Sequence, residues 1–323
     1  MFKVIIKILL LTYLFSFILI IYFFIFKLNQ KLISRKIEEV KELNYNVKFD
    51  YCKYENNIIT KKMIKKAGWQ LELVQAYFIN GLIRKIKPKN CLEIGVSNGG
   101  SSILILNAIK DIEDSFLISL DLNTQMYLHK DKKTGYRVQQ FFPELSKKWT
   151  LFTGDLPHKF LVQLNKTFDF LFLDTAHMAP GELLNFIEVL PFLKEKAIVI
   201  IHDLLWHFNI KVKFYPSNVY LFPNIRGDKI LLRNNKGELS GIGGIFLYPN
   251  QKKYYLNYFL LLLCFWEYIP TDKQINDMVQ FIKKYYNNEI YLQIFNIAVK
   301  KNKNSIIKLS NYNFNKIIYT NIL

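Results

Sequence analysis

Between Asn90 and Asp203, short apolar runs alternate with stretches in which apolar residues recur at helical spacing. The runs Cys91–Ile94, Phe116–Leu120, Thr150–Phe152, Phe168–Leu173 and Ala197–Ile201 predict five strands. The intervening Ser101–Ile109, Lys159–Leu164 and Gly181–Leu193 predict helices. Strands apolar on both faces and separated by helices predict a doubly wound, mostly parallel α/β sheet. Upstream, Trp69–Ile86 predicts an amphipathic helix that Pro88 breaks. Downstream, Asn218–Phe222, Lys229–Leu232 and Gly241–Tyr248 predict short strands that complete the sheet with an antiparallel edge. Tyr254–Trp266 is intensely apolar but short for a membrane span. Its two readings are a buried helix and a second contact with a membrane surface.

A different pattern occupies the N-terminus. From Ile8 to Phe26 only Thr12 and Ser16 interrupt an apolar run long enough to cross a hydrocarbon core of about 30 Å. The length of the run and the absence of any alanine before Ala67 argue against a cleaved signal peptide. Lys27, Lys31, Arg35, Lys36 and Lys41 follow the run, against Lys3 and Lys7 at its start. By the positive-inside bias, the rest of the chain faces the cytosol. The expected organisation is a transmembrane helix within residues 1–27, a basic connector over 28–68, an α/β domain over 69–250 and a helical extension over 251–323.

Composition changes this picture little, but charge locates the partners. The net charge of +18 is concentrated on the flanks: residues 1–70 carry 13 Lys/Arg against 5 Asp/Glu, and residues 71–249 carry 21 against 17. Basic segments beside a span fit anionic lipid, and no nucleic-acid module accompanies the charge, so nucleic acid is disfavoured as a partner. Cys52, Cys91 and Cys264 are far apart with no CxxC, which excludes a disulfide framework and a thiolate metal site.

The predicted strands end at or near acidic residues or polar pairs, where open α/β sheets bind ligands. The first ends in Glu93-Ile-Gly95-Val-Ser97-Asn-Gly99-Gly100. Glycines there let the backbone turn tightly and approach a ligand. A dinucleotide loop wants G-x-G-x-x-G, and Ser97 stands where its middle glycine belongs, which disfavours an NAD-dependent oxidoreductase. The ordered series ExGxxxGG, LISLD, TGD, FLFLDTAH and IVIIHD resembles the class I S-adenosylmethionine (SAM)-dependent methyltransferases. Within these it is similar to the small-molecule and sugar O-methyltransferase-like group with a D-x-x-H element, methyltransferase family 24.

That resemblance implies a Rossmann-like fold with SAM as cofactor. Gly95, Ser97 and Gly99 would line the methionine end of SAM with Glu93 nearby; Asp121 would bond the ribose hydroxyls, and Asp155 would sit near the adenine. A second cluster comprises Asp174, His177, His202 and Asp203. Asp174 and Asp203 end successive strands and can converge on Mg²⁺ or Mn²⁺, with His202 as a further ligand. His177 is placed to remove a proton from a hydroxyl acceptor, alongside Asp174. The expected acceptor is a sugar or other small hydroxyl compound, lipid-linked or free. The alternative is a SAM-binding scaffold without turnover.

Overall fold

The computed structural model describes residues 47–51, 67–68, 71–126, 129–175, 177–205, 217–233 and 236–310. The predicted N-terminal span and most of the connector lie outside the described residues. Among the described residues, no helix is long and apolar enough to cross a membrane. The described residues from Lys48 onward fall in one compact unit.

Among the described residues the sheet has eight strands: β1 (Val47–Tyr51), β2 (Asn90–Ile94), β3 (Phe116–Asp121), β4 (Trp149–Thr153), β5 (Phe168–Leu173), β6 (Leu193–Ile201), β7 (Gly227–Arg233) and β8 (Leu239–Leu247). They lie in the order β1-β7-β8-β6-β5-β2-β3-β4. The block β4-β3-β2-β5-β6 is parallel, and β8 pairs antiparallel with both β6 and β7. The chain runs outward from β2 through β3 to β4, then returns to lay β5 on the other side of β2. That reversal creates a crevice between the carboxyl ends of β2 and β5.

Side-chain alternation explains why these strands are apolar throughout. Leu92, Ile94, Leu171, Leu173, Val199 and Ile201 enter one buried cluster. Their neighbours Cys91, Phe170, Phe172, Ile198 and Ile200 enter a second, on the opposite face. The second cluster is covered by α1 (Leu73–Ile86) and α2 (Gly100–Ile109). A short α3 (Tyr136–Phe141) follows β3, and α4 (Pro157–Leu164) follows β4. The first cluster is covered by α5 (Gly181–Val189), α6 (Asn218–Asn224), α7 (Tyr255–Leu261), α8 (Asp272–Tyr285) and α9 (Glu289–Ser310). The helical extension therefore shares its core with the sheet.

The structure bears on two readings of the chain. Asn218–Phe222, expected as a strand, begins α6. Its buried residues are Asn218, Leu221 and Phe222, a helical period that tertiary packing imposes on a β-prone composition. Gly243 of β8 has no side chain where the Phe222 ring packs. The apolar run from Tyr254 is in large part a core element: α7 is seven residues long, and Tyr258, Phe259, Leu262 and Trp266 are fully enclosed, while Leu256 and Phe265 are exposed.

The shared core carries a prediction. Phe295, wholly buried in α9, contacts the cluster that includes the sheet. Phe295→Ala should lower the unfolding free energy of the α/β unit by about 3–5 kcal/mol in a single cooperative transition. Urea unfolding followed by tryptophan fluorescence checks this; a main transition left unmoved would make the extension an independent unit.

Candidate active site

The loop after β2 is built from the backbone outward. Gly95 has φ +92° and passes so close to β5 that an added Cβ would overlap the Asp174 carbonyl oxygen. Gly99 has φ +93° and caps α2. Asp121, at the end of β3, accepts the N–H groups of Val96 and Ser97 through Oδ2 at 2.9 and 3.1 Å, and that of Asn123 through Oδ1 at 2.8 Å. A carboxylate offers about four acceptor positions, so about one is left for a further donor. Asp155 lies one strand further out, after β4, and accepts the N–H of Leu156 at 2.9 Å.

Glu93 takes a different place from that expected. It is 0% exposed, and its carboxylate accepts hydroxyls from Ser101 at 2.5 Å and from Ser102 and Ser119 at 2.6 Å. Ser119 is itself held by the Trp149 indole N–H at 2.8 Å. Glu93 supports the loop from beneath, tying β2 to β3 and to the start of α2. Burial raises its carboxyl to about 7, against the three hydroxyls that favour its charge.

The second cluster does converge. Asp174 follows β5, and His202 and Asp203 follow β6. His177 Nε2 lies 3.1 Å from Asp203 Oδ2 and 3.6 Å from Asp174 Oδ1. One donor atom from each of Asp174, His177 and Asp203 falls within 4.8 Å of the others, the spacing of a cation site. Sequence reasoning paired the two aspartates with His202; in the converging trio that position is taken by His177. The strand ends at Ile201 and the backbone turns left-handed at Asp203, φ +56°, so His202 and Asp203 both face the cluster, with His202 Nδ1 also 3.4 Å from Asp203 Oδ1. His202 differs in that Gln75 takes its other ring nitrogen. His202 is buried, with Nδ1 3.3 Å from Asp174 Oδ1 and Nε2 3.2 Å from Oε1 of Gln75 on α1.

The charges within the cluster adjust to each other. Burial opposes ionisation of Asp174, but His202 and His177 outweigh it and hold the carboxyl below the usual range. Burial, reinforced by the Asp174 charge, raises Asp203. Burial alone would lower His177, yet Glu182, Asp174 and Asp203 raise it to about 9. Without a cation the ring is therefore an imidazolium at neutral pH, a poor proton acceptor.

The arrangement fits both expected groups. Ser97 on one strand-end loop and Thr175 on the other carry buried hydroxyls without a protein partner, as a polar ligand between the loops requires. Two carboxylates and an imidazole suit Mg²⁺ or, better, Mn²⁺.

Sequence reasoning missed the residues that brace this cluster. Asn218 donates its amide to the carbonyls of His202 and Asp203 at 2.8 and 3.0 Å. Glu267, in the extension, accepts the Ala179 N–H through its carboxylate at 3.2 Å and donates its own N–H to the Ala179 carbonyl at 2.8 Å. Gln75, Asn218 and Glu267 are remote in sequence and match no motif. Glu182 alone had a signal, an acid five residues after His177 at a helix start.

Glu93 predicts a pH dependence. Its carboxyl titrates near 7 in the fold and near 4.5 when free, so the fold favours the protonated form. The associated stability is fully present below pH 4.5 and is lost as pH rises through 7, about 3 kcal/mol in all. Glu93→Gln should remove this component, flattening the fall in Tm between pH 5 and 8; thermal unfolding across that range checks it.

Residues 92–204 match the family described as "Methyltransferase domain", methyltransferase family 24. No curated protein matches the chain. Among solved structures, similarity is found to an O-methyltransferase from Streptomyces achromogenes involved in tomaymycin synthesis, solved with SAM. Identity is 17%, covering 60% of this chain and 92% of that one, with a TM-score of 0.46. An O-methyltransferase from Bacillus cereus, solved with S-adenosylhomocysteine, is 17% identical over 59% of this chain and 93% of that one, with a TM-score of 0.45. The matched segment, residues 92–204, runs from β2 to just past the end of β6 and so holds both strand-end clusters within the region that the methyltransferase family 24 model describes.

Proposed function

We propose that the chain is an O-methyltransferase that moves the SAM methyl group to a hydroxyl of a sugar or other small acceptor, with a divalent cation at Asp174, His177 and Asp203. The observation that carries this reading is the convergence of those three side chains beside the loop of Gly95, Ser97 and Gly99. The transfer forms an O–CH3 bond, breaks the S–CH3 bond, and releases S-adenosylhomocysteine and one proton. When bound, a divalent cation lowers the pKa of an acceptor hydroxyl beside it. Asp174 and Asp203 orient the acceptor at the crevice. Ser97 and Thr175 offer their hydroxyls to the ligands between the loops. Nε2 of His177 serves as a donor in this arrangement, so the base role expected from sequence passes to another acceptor of the proton.

The N-terminal apolar run fits a single-pass anchor with the domain facing the cytosol, where SAM is available. An anchor would raise the effective concentration of the enzyme beside a lipid-linked glycan, which makes surface-polysaccharide synthesis the favoured setting.

Two measurements test this. Calorimetry on the full chain in detergent should give saturable binding of SAM and S-adenosylhomocysteine and none of NAD; an absence of SAM binding would sink the reading. Methyl transfer from labelled SAM into a membrane and glycan extract should label a hydroxyl-bearing product. EDTA should abolish the transfer, Mn²⁺ should restore it, and His177→Ala should lower it more than about tenfold. Transfer that survives both EDTA and His177→Ala removes the cation from the mechanism.

A further inference from the structure

Glu182 stands in the first turn of α5 and is 1% exposed. A carboxylate this deep requires compensation, and both of its oxygens have it. Oε1 accepts the backbone N–H of His177 at 2.6 Å and lies 3.6 Å from His177 Nδ1. Oε2 accepts the Ser217 hydroxyl at 2.8 Å, and the same Ser217 oxygen accepts the N–H of Leu183 at 3.1 Å. The far side of the ring, Nε2, faces Asp203 and Asp174.

The two contacts act differently. At 2.6 Å the bond to the backbone N–H is a charge-assisted hydrogen bond. At 3.6 Å the ring contact is too long for a hydrogen bond and acts as charge attraction. His177 has φ +53°, a left-handed conformation that few residues with side chains adopt. The Glu182 bond to its N–H holds the backbone there. The ring is thereby presented edge-on to the two strand-end aspartates.

We propose that Glu182 is the positioning residue of this site, fixing His177 so that Nε2 points at Asp174 and Asp203 as a cation donor. This rests on the cation reading given above. Outer carboxylates recurrently orient ligating histidines, and here Glu182 does so through the backbone N–H of His177, with charge attraction to the ring behind it. Ser217 extends the support by fixing the second oxygen of Glu182.

The test uses Mn²⁺ as the probe and the full chain in detergent, with SAM affinity measured in parallel. Glu182→Gln should weaken Mn²⁺ binding about 10–100-fold while SAM affinity stays within about twofold. Ser217→Ala, which loosens Glu182 without removing it, should weaken Mn²⁺ in the same direction by less. It carries the comparison should the glutamine variant not fold. Wild-type Mn²⁺ affinity in Glu182→Gln overturns the proposal and leaves the cation reading standing. Equal losses of Mn²⁺ and SAM binding mark a general structural role and overturn it as well. A wild-type chain that binds no Mn²⁺ sinks the cation reading, and crystal structures of wild type and Glu182→Gln then decide. A His177 ring turned away from Asp203 in the variant supports positioning by Glu182, and an unmoved ring overturns it.

Discussion

At Gly95 the backbones leaving β2 and β5 pass so close that no side chain fits between them. This contact sits at the point where the strand order reverses, and both halves of the site are registered by it. On one side the chain turns into the loop that Asp121 holds by two backbone N–H groups. On the other it delivers Asp174, the first acid of the second cluster. The relative placement of the two halves is thus fixed by main chain, which has far less freedom to rearrange than a side-chain contact. Glu93 reinforces it from below, where three hydroxyls bond a carboxyl whose titration burial has raised to about 7.

The second cluster works by mutual charge. Two histidines and three carboxylates, Asp174, Asp203 and Glu182, occupy one partly enclosed region. No member would tolerate its burial alone, and each is offset by a neighbour of opposite sign. The negative members outnumber the histidines, which raises both rings and leaves the strand ends acidic. A region of that character favours a cation, whether a proton on His177 or a metal ion.

The sheet was legible because its strands are buried on both faces and separated by regular helices. The positions of Gly95, Asp121, Asp174 and Asp203 followed from the rule that strand ends form the crevice. Glu93 shows where such a rule is too coarse: being one of the last residues of a strand does not say whether a side chain faces the crevice or the layer beneath it. The exchange of His202 for His177 has another origin: beyond the last strand residue, Ile201, the backbone turns left-handed at Asp203, and Gln75, remote in sequence, takes Nε2 of His202. Asn218–Phe222 was misread because its local composition favours a strand while Leu221 and Phe222 pack at helical spacing. Gln75, Asn218 and Glu267 reach the site from far along the chain, and pairings of that kind leave no local pattern.

The contact between Glu267 and Ala179 gives the site a history during synthesis. The segment that carries His177 is complete long before its partner at Glu267 has been made, and that partner is anchored through Trp266 to Asn302 on α9. Domains form as their chain emerges. Because α9 also fills the core beneath the sheet, the packing of the sheet and the wall behind His177 are completed together, once α9 has left the ribosome. A chain cut short of α9 would lose the packing beneath the sheet and the wall behind His177 at once.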